Sequence, residues 1–373
     1  MTNPIPLCPS IDVGLFLNTD GQVKTCCAGN KSFGNIKKQS LDEIFSTSDH
    51  YINSKTLLDK QEWPPYCNGC VAHEKNAPGT SQLTYFNRNF KTTGVRQTKQ
   101  IDLRWSNVCN LSCRYCDPGA SSVWEQMLGQ KPQSANREYH QSVLDDVRKN
   151  ADYIETAFML GGEPLMQKQN EQLLEILNPN TQIDIITNLS TRLENNKIYN
   201  LLKKQERVSW HISFENIGDR FEYVRAGADW ELLQHNIEVL KNDFGVNSVQ
   251  FHPVYGIWSA TRLVEFYDFV DLHGVGVGWQ MANPSWGKYG CDYFSIFDHD
   301  PRIKELAIKQ IDSIPNLFER EPSFKGIREN LSTDTFKPEA SKEFLSWTAR
   351  IEEFMPPKVG FADLWPELYE VMK

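Results

Sequence analysis

Six short runs rich in β-branched and aromatic residues, spaced by segments of helical periodicity, constrain the possible fold of this chain more than any other feature. They are IDLRWSN (101–107), YIETAFML (153–160), QIDIITN (182–188), RVSWHISFE (207–215), VNSVQFHPVY (246–255) and VGVGWQMA (275–282). The segments between them are amphipathic. In EQLLEILN, Leu173, Leu174 and Leu177 share one helix face, and in DWELLQHNIEVL, Leu232, Leu233, Ile237 and Leu240 do the same. Alternation of this kind builds βα units around a parallel sheet. Six consecutive units predict either a doubly wound sheet or a partial barrel, and in both the functional groups gather at the carboxyl ends of the strands.

The residues at those ends are polar or special. Cys109, Cys113 and Cys116 follow the first run and GGEP (161–164) the second. Thr187 and Asn188 close the third, Ser213 and Glu215 the fourth, and His252 and Tyr255 the fifth. The chain has nine cysteines, five of them in its first hundred residues. No basic stretch followed by an apolar one opens the sequence, and no run of eighteen apolar residues occurs, so a cytoplasmic protein outside the membrane, with reduced thiols, is expected. In that compartment bunched cysteines point to metal or cluster binding rather than to disulfides. A net charge of −9 argues against a broad phosphate-binding surface, and no nucleic-acid partner is expected.

Three thiols in a loop leaving a strand do not close a structural zinc site or an ordinary four-iron cluster, each of which takes four protein ligands. They leave one metal corner open for a substrate or cofactor. The N-terminal hundred residues have another texture, turn-rich, with Asp20-Gly21 between LFLN and QVKT predicting a hairpin with a tight primed turn, and SLDEIF a short helix. The expected division is 1–95, 96–298 and a helical extension 299–373 broken by Pro315, Pro322, Pro338, Pro356 and Pro357.

Cx3Cx2C with Tyr115 before the last cysteine, placed after the first strand of a six-stranded partial barrel, resembles the cluster loop of the radical S-adenosylmethionine (SAM) enzymes. The resemblance covers residues 101 to about 285. It implies an α/β partial (β/α)6 barrel in which Cys109, Cys113 and Cys116 hold a 4Fe-4S cluster whose fourth iron chelates SAM. It further implies reductive cleavage to a 5′-deoxyadenosyl radical, with flavodoxin or ferredoxin as electron donor. Gly161, Gly162 and Glu163 resemble the motif receiving the methionine ammonium, and Ser213 and Glu215 in HISFEN the ribose-holding segment. Tyr115 and Asn188 join the cofactor site, and Arg225 in FEYVRAG stands where relatives place a carboxylate-binding arginine.

The N-terminal segment, with Cys8, Gly21, Cys26 and a Cys67-Asn68-Gly69-Cys70 pair, resembles the SPASM or shorter twitch cluster-binding extension, here ahead of the barrel. That implies an auxiliary iron–sulfur cluster on Cys8, Cys26, Cys67 and Cys70. Cys27 can replace Cys26, and a structural zinc knuckle would use the same thiols. Cys291, beside Tyr289 and Tyr293, is a candidate hydrogen-atom or electron relay against the plainer reading of a buried small hydrophobe. The substrate expected is a peptide or protein side chain, or a small sugar- or nucleotide-linked metabolite. A non-catalytic iron–sulfur or zinc interaction protein is the reading from another class.

Overall fold

A computed structural model describes residues 7–76, 79, 81–91, 94–130, 137–282 and 293–373. The chain folds as two compact units. The first comprises Met1–Val108, Lys131–Ile186 and Glu194–Ser209, the second Cys109–Gln130, Thr187–Leu193 and Trp210–Lys373.

The first unit is built on strands β1 (Gly14–Leu17), β2 (Gln22–Lys24), β3 (Gly34–Asn35), β4 (Gln100–Leu103), β5 (Thr156–Met159) and β6 (Gln182–Thr187), in the order β3-β2-β1-β4-β5-β6. β1 to β3 pair antiparallel, and β1 also runs parallel to β4, so the hairpin joins the parallel β4-β5-β6 sheet. The register aligns Leu15, Ile101, Ala157 and Ile183 in one row and Leu17, Leu103, Met159 and Ile185 in the next, all fully buried. β1 is buried at every position, as a strand covered on both faces must be. The Asp20-Gly21 hairpin is present with a longer loop than a two-residue primed turn. Asn18 N–H donates to Gln22 O and Gly21 N–H to Asn18 O, and positive φ falls on Gly21 alone, at 86°. A primed turn needs positive φ at Asp20 too; instead the Asp20 carboxylate accepts from Gln22 N and Asn18 Nδ2, a local bond that favours the wider loop. SLDEIF opens a helix, Leu41–Thr47, closed by a reciprocal capping box between Ser40 and Glu43.

The second unit holds β7 (Val208–Ile212, from Trp210 on), β8 (Val249–Phe251) and β10 (Gly276–Val277) as parallel neighbours, and a further parallel pair, β9 (Val254–Tyr255) with β11 (Gln280–Met281). The long strand expected over 246–255 is therefore two short ones preceded by a 3-10 turn, Val246–Ser248, with Pro253 between them. Proline lacks the N–H that a continuous ladder would use. Each crossover helix seats the predicted face. Trp230–Phe244, capped by Asp229 and ended at Gly245 (φ 82°), buries Leu233, Ile237 and Leu240, with Leu232 half-buried. Three helices, Pro301–Ser313, Ser323–Leu331 and Ala340–Phe354, follow, and in the tail Trp365 is fully buried with its indole N–H on Trp258 O at 3.1 Å. This is the predicted α/β architecture with an open, mostly parallel sheet. Among the described residues no helix is long and apolar enough to cross a membrane.

Replacing Ile237 by Ala should destabilise the chain by about 2–5 kcal/mol, since it empties a wholly buried site, whereas Asp229→Ala removes one cap and should cost about 1 kcal/mol. Denaturant unfolding of the two variants side by side checks this, and a larger loss from the cap than from the core residue would refute the packing order described here.

Candidate functional site

The loop carrying Cys109, Cys113 and Cys116 is fastened to the chain that follows β7. Ser112 N–H donates to Ala226 O at 3.0 Å and Arg114 N–H to Val224 O at 2.8 Å, a short ladder that fixes the loop without regular strand structure. The Arg114 side chain is buried, donating through Nε to Tyr223 O at 2.8 Å with its guanidinium 4.0 Å from the Tyr223 ring centroid. Trp124 Nε1 donates to Cys113 O at 2.9 Å, and Ser121 Oγ to Leu111 O at 2.6 Å. The Cys109 sulfur accepts from Leu111 N–H at 3.5 Å and from Asn188 Nδ2 at 3.6 Å. Asn188 is oriented for this, because its Oδ1 takes the Ser190 N–H at 2.9 Å. Burial pushes the Cys113 thiol up although Arg225 opposes the shift, and burial plus the neighbouring Cys113 and Cys109 push Cys116 well up.

Beside this loop lies a buried polar group. Glu215 Oε2 receives Arg225 Nη2 at 2.8 Å and the Tyr115 hydroxyl at 3.1 Å, with the Arg225 guanidinium 5.5 Å from the Tyr115 ring centroid. Burial alone would lower the Arg225 pKa; the Glu215 carboxylate more than reverses that, and the guanidinium stays charged. Glu215 Oε1, Arg225 Nε and both amide atoms of Asn216 are buried with no hydrogen-bond partner. An unmet buried polar atom costs about 1–3 kcal/mol, so the contacting Glu215 and Arg225 side chains keep polar capacity that a ligand could use. The adjoining cavity is walled by Tyr115, Glu215, Val254, Trp258 and Phe294. Ser213 reaches this region through its backbone, its N–H donating to Thr187 O at 2.9 Å.

Gly161, Gly162 and Glu163 belong to the first unit, where they dock on the residues immediately ahead of Cys109. Gly162 N–H donates to Ser106 O at 3.1 Å and Glu163 N–H to Val108 O at 2.7 Å. A Cβ on Gly162 would stand 2.2 Å from Val108 O, and Gly161 has φ 124°, so both positions require glycine. Glu163 is buried, and its Oε1 accepts from Leu165 N–H at 3.1 Å to start the turn Pro164–Met166.

Also in the first unit, Cys8, Cys26, Cys67 and Cys70 lie near enough to act on one another electrostatically. Burial and then Cys26 and Cys70 push Cys8 up to about 12, although a hydrogen bond from Ser10 opposes them, and Cys67 is raised by burial and by the other three. Leu83 N–H donates to the Cys70 sulfur at 3.2 Å, while Val13, Phe86 and Phe90 form an apolar wall against Cys8 and Cys26. Cys27 is exposed, and its charged neighbours are Asp102 and Arg104, so Cys26 is the one of the pair that faces the other three thiols. Sequence reasoning missed Tyr66, whose hydroxyl lies 3.7 Å from the Cys26 sulfur. The aromatic directly before Cys67, repeating the Tyr115-Cys116 pattern, was the available signal. Cys291 and Tyr289 lie outside the described residues, and Tyr293 is buried with its hydroxyl on Glu339 at 3.2 Å.

Among the described residues no three His, Cys, Asp or Glu side chains are drawn together as ligands of a single ion. The fit to a cluster is read from donor chemistry instead. In both sets, half-buried sulfurs accept N–H bonds, as cluster thiolates do.

Residues 103–270 match the family model of the Radical SAM superfamily, and residues 8–71 match that of the SPASM iron–sulfur cluster-binding domain. Residues 103–270 thus form a domain of the radical SAM superfamily. An iron–sulfur cluster-binding domain of the SPASM type precedes it in the chain. Solved structures similar in part include His-tagged anSMEcpe with bound AdoMet, at 16% identity and TM-score 0.44 over 64% of this chain and 62% of that one. Streptococcus suis SuiB bound to S-adenosylmethionine is similar at 14% identity and TM-score 0.43 over 75% of this chain and 61% of that one. TYW1 with a lysine-pyruvate adduct is similar at 14% identity and TM-score 0.39 over 58% and 74%. The chain thus spans less than two thirds of the first two. Curated protein sequences give no match.

Gly162→Ala should force Val108 and the turn apart and destabilise the chain by about 1–3 kcal/mol; denaturant unfolding beside the parent chain checks this, and unchanged stability would refute the close approach. Protons and iron compete for the same sulfurs. Because Cys113 and Cys116 titrate above the ordinary thiol range, iron uptake by the apoprotein should rise as pH is raised from neutrality and fall below it. Iron content after anaerobic reconstitution across that range should slope upward; a flat or falling profile contradicts the assignment.

Proposed function

We propose that this protein cleaves SAM at a cluster held by Cys109, Cys113 and Cys116 and abstracts a hydrogen atom from a peptide or protein side chain. The observation that carries the reading is the buried Tyr115–Glu215–Arg225 group, with Glu215 Oε1 and Arg225 Nε unpartnered close to Cys113. In this reading the chain is organised as 1–95 for the auxiliary cluster, 96–298 for SAM and 299–373 as a supporting extension.

When bound, the cluster and SAM together supply a 5′-deoxyadenosyl radical and methionine by one-electron cleavage of the sulfonium. The chain's own residues position and enclose. By the resemblance, Gly161 and Gly162 would receive the methionine end of SAM and Glu163 its ammonium. Arg225 and the Tyr115 hydroxyl hold Glu215 through its Oε2, leaving Oε1 for a ribose hydroxyl and Arg225 Nε for the carboxylate. Asn188 and Ser213 complete the cofactor side. His211 and Gln250 hydrogen-bond to each other at 3.0 Å, with the His252 ring 6.1 Å from that of His211.

Cys8, Cys26, Cys67 and Cys70 hold the auxiliary cluster. Four protein ligands saturate it, which favours electron transfer over direct binding of substrate. The matched iron–sulfur domain supports a peptide substrate, because such extensions accompany peptide-modifying maturases in the family that the sequence resembles. A ferredoxin or flavodoxin is the electron donor.

Alanine at Cys109, Cys113 or Cys116 should abolish 5′-deoxyadenosine formation on reduction, whereas alanine at Cys67 or Cys70 should leave it measurable while stopping conversion of substrate. Chromatographic assay of 5′-deoxyadenosine decides, and persistence of that product in the Cys113→Ala enzyme would end the proposal. Incubation with peptide and metabolite pools in deuterated form separates substrate classes: deuterium in 5′-deoxyadenosine from the metabolite pool alone would exclude the peptide reading.

A further inference from the structure

Tyr66 is fully buried in the first unit and held from every side. Its ring packs on Phe33 at 4.7 Å and His50 at 5.9 Å between centroids. A Cβ on Gly29 would lie 2.1 Å from the ring and 2.2 Å from the hydroxyl, so the neighbouring backbone leaves room for this aromatic only because residue 29 is glycine. The backbone ahead of it is tied down as well, with Asn30 Nδ2 donating to Pro65 O at 2.8 Å.

The hydroxyl therefore sits at a defined point, and its hydrogen bonds can be assigned. Backbone N–H groups of Thr25 and Cys26 donate to it at 3.2 and 3.3 Å. A phenolic oxygen accepts two bonds and donates one. With both acceptor places filled, the hydroxyl proton has two destinations: Thr25 Oγ1 at 3.3 Å or Cys26 Sγ at 3.7 Å. Once Cys26 is a thiolate on iron the sulfur carries charge, and a charged acceptor makes the stronger bond.

We infer that Tyr66 is a positioning residue for the auxiliary cluster, donating its hydroxyl proton to the Cys26 sulfur and thereby raising that cluster's reduction potential. The inference rests on Cys26 being a ligand. A hydrogen bond to a ligating sulfur stabilises the reduced, more negative cluster. Among the described residues, Cys8 takes hydrogen bonds from Ser10 and Cys70 takes the Leu83 N–H, whereas Cys26 takes the phenol.

The test uses the full-length chain with Cys109, Cys113 and Cys116 changed to Ala, so that the auxiliary cluster is the one observed. Iron and sulfide are counted first: a chain without a cluster overturns the ligand reading and this inference with it. With the cluster present, Tyr66→Phe should lower the reduced-to-oxidised ratio about tenfold at fixed poise, equivalent to ~59 mV for a one-electron couple, read by a potentiometric titration followed by electron paramagnetic resonance. An unshifted midpoint at full cluster content overturns the inference alone. Thr25→Val decides independently if Tyr66→Phe loses its iron. A proton already on sulfur leaves the midpoint unchanged, whereas a rise would show that the proton had been on Thr25.

Discussion

Holding cysteine sulfurs where burial disfavours their charge is the constraint on which the rest of this structure depends. A thiolate in such a place is disfavoured by desolvation and by its like-charged neighbours, as the raised Cys113 and Cys116 thiols record. The charge becomes tolerable only with a cationic partner on the sulfurs and with dipoles already aimed at them. The chain supplies the second from its own backbone and amides, at Leu111 and Asn188 for Cys109 and at Leu83 for Cys70.

Because those donors must stay in place while the sulfurs are empty or filled, the loops that carry them are fastened independently of any cluster. The loop after β4 is laced to Val224 and Ala226 by its backbone and locked by the buried Arg114 side chain. The lacing uses the same segment that delivers Arg225 to Glu215. Loop position and the buried Glu215–Arg225 pair are thereby set by one piece of chain, and a shift in that piece would move the thiols and the carboxylate together. The C-terminal extension bears on the same region, since Arg114 also reaches Met355 O at 3.4 Å and Trp365 lies against Trp258, a wall of the cavity.

Much of this was legible in the residues. The six β-rich runs fell where strands form, with crossover helices presenting the expected leucines, because a period of 2 or 3.6 survives any detail of packing. The thiol spacing and the glycine pair were equally plain. Other features were not. Asp20-Gly21 signals a tight turn, yet the carboxylate of Asp20 selected a wider loop through its own hydrogen bonds. Pro253 divided a run that reads as one strand. Cys26 and Cys27 are equivalent as letters, and only the direction in which each faces separates them.

The sequence by itself determined the class: which residue types occur, at what spacing, and at the ends of which strands, since local periodicity and ligand chemistry depend on near neighbours in the chain. Tertiary structure alone decided which groups meet. Tyr66 lies 40 residues from Cys26, and Arg225 lies 109 or more from the loop it helps organise. Partnerships at such separations follow from how buried surfaces pack and from the need to satisfy every enclosed polar atom, conditions that no local pattern encodes.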